Sequence, residues 1–82
     1  MILNLNMLLE IVAESTESEL NEVNIDSSMD SLEGWDSLGH LSILSKLDSS
    51  TQGKAAEINT LADCKSVRDL VESLKSNSLF SE

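Results

Sequence analysis

Apolar residues recur at helical spacing in two long segments of the chain. In the first, the spacing i, i+3, i+4, i+7 predicts an amphipathic helix from about residue 3 to about residue 15. Its apolar positions are Leu5, Leu8, Leu9 and Val12. A second helix is expected to begin at Asp36 or Ser37, because both residue types favour the N-cap, and to end in the polar cluster at 49–53. Its apolar positions are Leu38, Leu41, Leu44 and Leu47.

The last third of the chain carries two further helical patterns. A short helix is expected at about 55–62, and Ser66 begins a final helix with a sequence similar to a capping box. The fold class that follows is all-α: a small four-helix bundle of three main helices and one short helix. We expect a single domain over residues 1–82, with a frayed tail at 76–82.

An acidic segment rich in Ser and Asn separates the first two helices. Residues 16–36 carry isolated apolar side chains, of which Trp35 is the last. A structureless loop of about 20 residues is uncommon in a compact domain, so we expect an ordered loop that is pinned to the core at several points. We favour a core position for Trp35, because large aromatic side chains are mostly buried. The alternative is that Trp35 forms an edge of a docking surface.

Size and charge exclude several classes of function. A chain of 82 residues buries only about 60% of its unfolded surface and leaves no room for a deep substrate cavity, so we do not expect an enzyme. The net charge is −10, and residues 1–45 contain nine acids and no Lys or Arg. This charge disfavours nucleic acids and anionic membranes as partners and favours basic protein surfaces. The alternative for many of these acids is that they only keep a small protein soluble.

Cysteine usage and the N-terminal segment bear on the compartment. The single cysteine, Cys64, excludes an intramolecular disulfide and fits a reducing cytoplasm. Its apolar-rich neighbourhood predicts burial rather than a nucleophile. Residues 1–12 are apolar but lack a basic region, so they resemble neither a secretory signal nor a membrane span. We therefore expect a cytoplasmic monomer with no membrane insertion.

The candidate site is the tripeptide Asp36-Ser37-Leu38, where the acidic loop becomes the second helix. A phosphate ester on Ser37 would lie at the positive end of that helix, beside backbone N–H groups that have no partner within the helix. One alternative is that Ser37 is only an N-cap. A hydrolase built from Asp36, Ser37 and His40 is disfavoured, since neighbours on one helix end rarely form a triad with an oxyanion hole. His40 is instead expected to be a surface residue.

With this motif, length, charge and order of helices, the whole chain resembles the acyl carrier and peptidyl carrier protein family. The resemblance implies 4′-phosphopantetheine from coenzyme A, attached covalently to Ser37 by a phosphopantetheinyl transferase. It implies that Asp36 serves transferase recognition and that Leu38 serves both packing and docking. The arm would hold an acyl or aminoacyl cargo as a thioester, delivered by a cargo-loading ligase or acyltransferase and passed to downstream enzymes of a biosynthetic pathway.

The second helix departs from the acidic docking helix of fatty-acid carriers. Ser42, Ser45, Ser49 and Ser50 occupy positions that are commonly acidic there, and Asp48 is the main remaining acid. Trp-Asp-Ser-Leu resembles specialised stand-alone carriers. The predicted docking residues are Trp35, His40, Leu41 and Asp48. The alternative function is an unmodified, carrier-like interaction module that docks through the acidic loop and the second helix.

Overall fold

The computed structural model describes residues 2–81 and is all-α over that range. Its helices are α1 (Leu5–Thr16), α2 (Ser37–Ser50) and α3 (Val67–Ser76). The remaining helical structure consists of 3-10 turns at Leu20–Glu22, Ala55–Glu57 and Asn59–Asp63. The predicted all-α small bundle is confirmed, and the short helix expected at 55–62 takes the form of the last two 3-10 turns.

Helix α1 supplies much of the core. The side chain of Asn4 caps its start by accepting a 2.9 Å hydrogen bond from the backbone N–H of Met7. Leu8 and Val12 are fully buried, which confirms the predicted apolar face. The helix packs on both α2 and α3. It ends at Thr16, and the C-cap residue Glu17 has a φ of 56°, in the left-handed region, which turns the chain into the loop.

Helix α2 is fixed at its far end by a buried threonine. Thr51 is fully buried; its hydroxyl donates to the carbonyl of Leu47 at 2.8 Å and accepts from the backbone N–H of Ala55 at 2.9 Å. One side chain therefore ends α2 and starts the next 3-10 turn. Helix α2 packs against α1 and against both 3-10 turns that follow it.

The loop between α1 and α2 is ordered and pinned to the core, as the sequence predicts. Val23 and Trp35 are buried within it. Backbone hydrogen bonds tie its middle to the start of α3: Val67 donates to the carbonyl of Ser27 at 2.9 Å, and Met29 donates to the carbonyl of Lys65 at 2.9 Å. The long loop thus behaves as a structural element of the bundle, because it buries apolar side chains at both ends.

The predicted frayed tail is wrong for the residues that the structure describes. Leu79 is buried, and the segment runs beside the N-terminus in an isolated parallel bridge between Leu3 and Phe80. The backbone of Leu3 donates to Leu79 at 2.9 Å and accepts from Ser81 at 2.8 Å. Burial of Leu3 and Leu79 supplies the stabilisation that a polar tail would lack. Residue 82 of the predicted tail lies outside the described range.

Candidate functional site

Ser37 is the first residue of α2 and is exposed. The preceding Asp36 is the N-cap, and its Oδ1 accepts a 2.8 Å hydrogen bond from the backbone N–H of Gly39. Asp36 therefore fills the cap role that the sequence allowed for either residue, and the Ser37 hydroxyl is not required for capping. Because the first N–H groups of a helix have no partner within the helix, the hydroxyl lies at an end that favours negative charge.

Two glycines bring this helix start close to the end of α1. A Cβ on Gly34 would overlap the carbonyl oxygen of Thr16 and lie 2.7 Å from its carbonyl carbon. A Cβ on Gly39 would in turn overlap the carbonyl oxygen of Gly34. The chain therefore needs both glycines for backbone-to-backbone contact around Ser37. Helix periodicity does not predict this requirement; its local signal in the sequence is the pair Gly34 and Gly39 flanking the motif.

Trp35 and His40 are buried, so the structure contradicts the prediction that His40 is a surface residue. Trp35 is 1% exposed and His40 is 8% exposed. The indole Nε1–H of Trp35 donates to Nδ1 of His40 at 3.1 Å, and Nε2 of His40 lies 3.0 Å from the carbonyl oxygen of Leu61. The core position predicted for Trp35 is confirmed. Trp35 is therefore not available as a docking surface, and His40 reaches the surface only as part of the wall of a groove beside Ser37.

The same contacts bear on the hydrolase alternative. An indole N–H is only a donor, so Nδ1 of His40 is the acceptor and Nε2 carries the proton that is donated to Leu61. Both ring nitrogens are thereby engaged with partners other than Ser37. A general base must reach the proton that it removes. The geometry therefore does not assemble a Ser-His pair.

An apolar surface adjoins Ser37. Leu38 is 76% exposed and Leu41 is 61% exposed, so two large apolar side chains one turn apart on α2 face solvent close to Ser37. A groove of about 440 Å³ lies beside Leu41. It is lined by Met29, Ser37, His40, Leu41, Leu44, Ala62, Asp63, Cys64 and Lys65. The structure thus brings the candidate serine and the predicted docking residue Leu41 to the rim of one apolar groove.

Asp48 is separate from this surface. It lies 11 residues after Ser37 on the same helix, about 16 Å along the axis at the ordinary helical rise. Its side chain is half-buried, and its Oδ1 has no hydrogen-bond partner among residues 2–81. The serines between the two residues are exposed or half-buried. The predicted docking set is therefore split between the two ends of α2.

Cys64 is buried, as the sequence predicts, at 5% exposure. Its Sγ lies 3.4 Å from the carbonyl oxygen of Thr60 and 3.6 Å from Oγ of Ser73. Burial raises the pKa of the thiol, against the opposing effect of the hydrogen bond with Ser73. The carboxylates that raise this pKa further are those of Asp69, Asp63 and Glu72. The arrangement favours a neutral, unreactive thiol.

Comparisons with protein-family models, with curated proteins and with solved structures give no match for this chain. Within residues 2–81, His, Cys, Asp and Glu side chains form no group of three or more that could hold a metal ion. Over the same residues, no helix has both the length and the apolar composition to cross a membrane. The fold and the site define a small helical bundle that displays one serine at a helix start beside an apolar surface.

Proposed function

We propose that this chain is a carrier protein whose Ser37 is the attachment point of a covalent 4′-phosphopantetheine arm. The observation that carries the proposal is that Ser37 is exposed at the first position of α2, while Asp36 performs the capping. The Ser37 side chain is therefore not needed to cap the helix, while the backbone that carries it is fixed by the Asp36 cap. A serine in such a place is suited to modification. When bound, the arm supplies a thiol that holds an acyl or aminoacyl cargo as a thioester.

The surroundings of Ser37 fit a phosphodiester. The N-terminal end of α2 favours negative charge, and the hydroxyl faces no steric barrier, because the residue is exposed. The negative charge of Asp36 repels an added phosphate, but the hydrogen bond from the backbone N–H of Gly39 to this carboxylate partly offsets the repulsion. The exposed Leu38 and Leu41 offer apolar contact to an enzyme that approaches the serine.

The modification requires only the hydroxyl from this chain. The Ser37 oxygen forms a bond to the pantetheine-bearing phosphorus of coenzyme A, and the diphosphate bond breaks. The nucleotide half of coenzyme A leaves with the other phosphate, and the serine proton passes to a base of the phosphopantetheinyl transferase. Ser37 is therefore an acceptor, and the domain supplies orientation and recognition.

Partners follow from the surface. The acidic front half favours enzymes with basic surfaces, and the apolar rim of the groove favours an apolar centre in the same interfaces. We propose that these enzymes are the transferase, a cargo-loading ligase or acyltransferase, and downstream enzymes of a biosynthetic pathway in the cytoplasm. The carrier would act as a monomer, so that Ser37 reaches each of them in turn.

A second candidate is an unmodified interaction module. The exposed Leu38 and Leu41 favour it, since an apolar surface of this kind can bind a partner without any arm. The two candidate functions differ in whether they require the hydroxyl oxygen of Ser37. Removal of the Ser37 hydroxyl abolishes a carrier, whereas it leaves an apolar docking surface almost unchanged.

The test is intact mass spectrometry after incubation with coenzyme A and a broad-specificity phosphopantetheinyl transferase. We expect the wild type to gain one phosphopantetheine and Ser37→Ala to gain none. Ser45→Ala, which removes another exposed serine of α2, is the matched control and is expected to be modified fully. A folded wild type that gains no mass, with this transferase and with that of the source organism, would instead support the interaction module.

A further inference from the structure

Ser37 lies within a short segment whose two ends, Trp35 and His40, are joined by a hydrogen bond between their buried side chains. The hydrogen bond between Trp35 and His40 spans the segment, since one partner lies two residues before Ser37 and the other three residues after it. Their ring planes are nearly parallel, with an interplanar angle of 16° and centroids 6.2 Å apart, so the two rings lie edge to edge across the hydrogen bond. The segment between them contains the N-cap and the first turn of α2.

The hydrogen bond between Trp35 and His40, here called the bridge, is connected through His40 to a distant part of the chain. His40 accepts from Trp35 with one ring nitrogen and donates to the carbonyl of Leu61 with the other. Leu61 lies in the 3-10 turn Asn59–Asp63, which packs against α2. The start of α2 is therefore fixed to both the preceding loop and the following turn through one imidazole. Both hydrogen bonds are buried, where competition from water is weak.

We infer that Trp35 and His40 are positioning residues that hold the Ser37 hydroxyl in the orientation required for modification. The inference rests on the proposed carrier function. Ser37 has no side-chain hydrogen bond to another residue of the described chain, so its orientation depends on the backbone that carries it. Trp35 does not line the groove beside Ser37, so a transferase that docks on the exposed Leu38 and Leu41 meets the same surface in Trp35→Phe as in the wild type. Loss of the Trp35 donor is therefore expected to lower the rate of modification more than the affinity of the transferase for the carrier.

The kinetic test compares Trp35→Phe with the wild type, each as the protein substrate of the transferase. Phenylalanine keeps an apolar ring but removes the N–H donor. We expect kcat to fall about fivefold, which corresponds to the net strength of one hydrogen bond, while KM for the carrier stays unchanged. His40→Leu removes both hydrogen bonds and is expected to lower kcat further. His40→Asn keeps an acceptor near the indole and is expected to recover part of the loss.

A matched control separates positioning from general loss of stability. Thr51→Val removes a fully buried hydroxyl with two hydrogen bonds at the other end of α2. It is expected to lower the melting temperature without a change in kcat when assayed well below that temperature. Circular dichroism establishes that each variant is folded under assay conditions. If Thr51→Val lowers kcat as much as Trp35→Phe does, the effect is general and the positioning role is refuted.

A second measurement is independent of modification. In the unmodified protein, ¹⁵N NMR is expected to show the His40 ring proton on Nε2 and slow exchange of the Trp35 indole N–H. Trp35→Phe is expected to speed amide hydrogen exchange in the first turn of α2. A proton on Nδ1 instead would overturn the bridge itself. No modification of the wild type would overturn the carrier function, and equal kcat for Trp35→Phe and wild type would overturn only the positioning role.

Discussion

A single methyl group at Gly34 is expected to destabilise the fold, although nothing about its backbone requires glycine. The φ of Gly34 lies outside the left-handed region, so alanine can adopt the same conformation. On conformational grounds alone, Gly34→Ala would stabilise the protein by about 0.4–1 kcal/mol, because it restricts the unfolded chain. The structure predicts the opposite sign, because of what the methyl group would meet.

The obstacle is the backbone at the end of α1. The added Cβ would overlap the carbonyl oxygen of Thr16 and would lie 2.7 Å from its carbonyl carbon and 3.1 Å from its Cα. Overpacking typically costs about 1–3 kcal/mol, and the cost lies at the upper end where no flexible side chain can move away. Subtracting the conformational gain leaves a net loss of about 2 kcal/mol. In a domain of this size that loss lowers the melting temperature by roughly 8–16 °C.

Urea and thermal unfolding followed by circular dichroism measure this loss. The control is Gly53→Asn, because a Cβ there has no atom within 4 Å and the φ of 88° is in the region that asparagine tolerates better than other residues. Gly53→Asn is expected to change stability by less than about 1 kcal/mol. A Gly34→Ala variant as stable as the wild type, or more so, would refute the close approach of the loop to α1.

Five further outcomes are expected, and each concerns a cap, a strained residue, the buried thiol or the acidic half of the chain. Asp36→Ala removes the acceptor of the hydrogen bond from Gly39 and is expected to lower the free energy of unfolding by about 1 kcal/mol. Asp36→Asn keeps a side-chain oxygen and is expected to retain most of that free energy. Equal losses for the two variants in urea unfolding would contradict the capping role. Ser78 has a φ of 61°, so Ser78→Gly is expected to raise the melting temperature by a few °C, and a decrease would contradict that strain. The raised pKa of Cys64 predicts slow alkylation by iodoacetamide at pH 8 in the folded protein and fast alkylation in urea. Because the folded state holds the thiol proton more tightly than the unfolded state does, the free energy of unfolding is expected to fall as pH rises above about 8.5. In Cys64→Ala, which has no thiol, the contribution of this group to the decrease is expected to disappear. Moderate salt or Mg²⁺ is expected to raise the melting temperature by screening the nine acids of residues 1–45, of which Asp26 is paired with Arg68 and Glu14 with Lys46; no rise would indicate that the remaining acids do not repel one another appreciably.

The elements that could be predicted from the sequence depend on near neighbours. Helix periodicity and capping act over three or four residues, so α1, α2 and α3 begin within about two residues of the expected positions. The position of Ser37 at the start of α2 follows from the same local rules. The pinned loop was also predictable, because its spaced apolar residues have to be buried somewhere.

The errors concern contacts between distant segments. The sequence placed His40 on the surface because it lies on the polar side of an amphipathic pattern. In the fold, the indole of Trp35 and the carbonyl of Leu61, 21 residues away, satisfy both its ring nitrogens and make burial favourable. The predicted frayed tail is wrong for a similar reason, since Leu79 finds its partners at the opposite end of the chain.

By itself, then, the sequence determined the helices, cap candidates for α2 and α3, and the position of one serine at a helix start. The tertiary structure alone decided how that serine is held. Gly34 touches α1, His40 joins α2 to the turn at Asn59–Asp63, and Leu38 and Leu41 remain exposed beside Ser37. The physical reason is range: periodicity and capping are local, whereas burial, backbone contact and side-chain bridges depend on which distant segments the fold brings together.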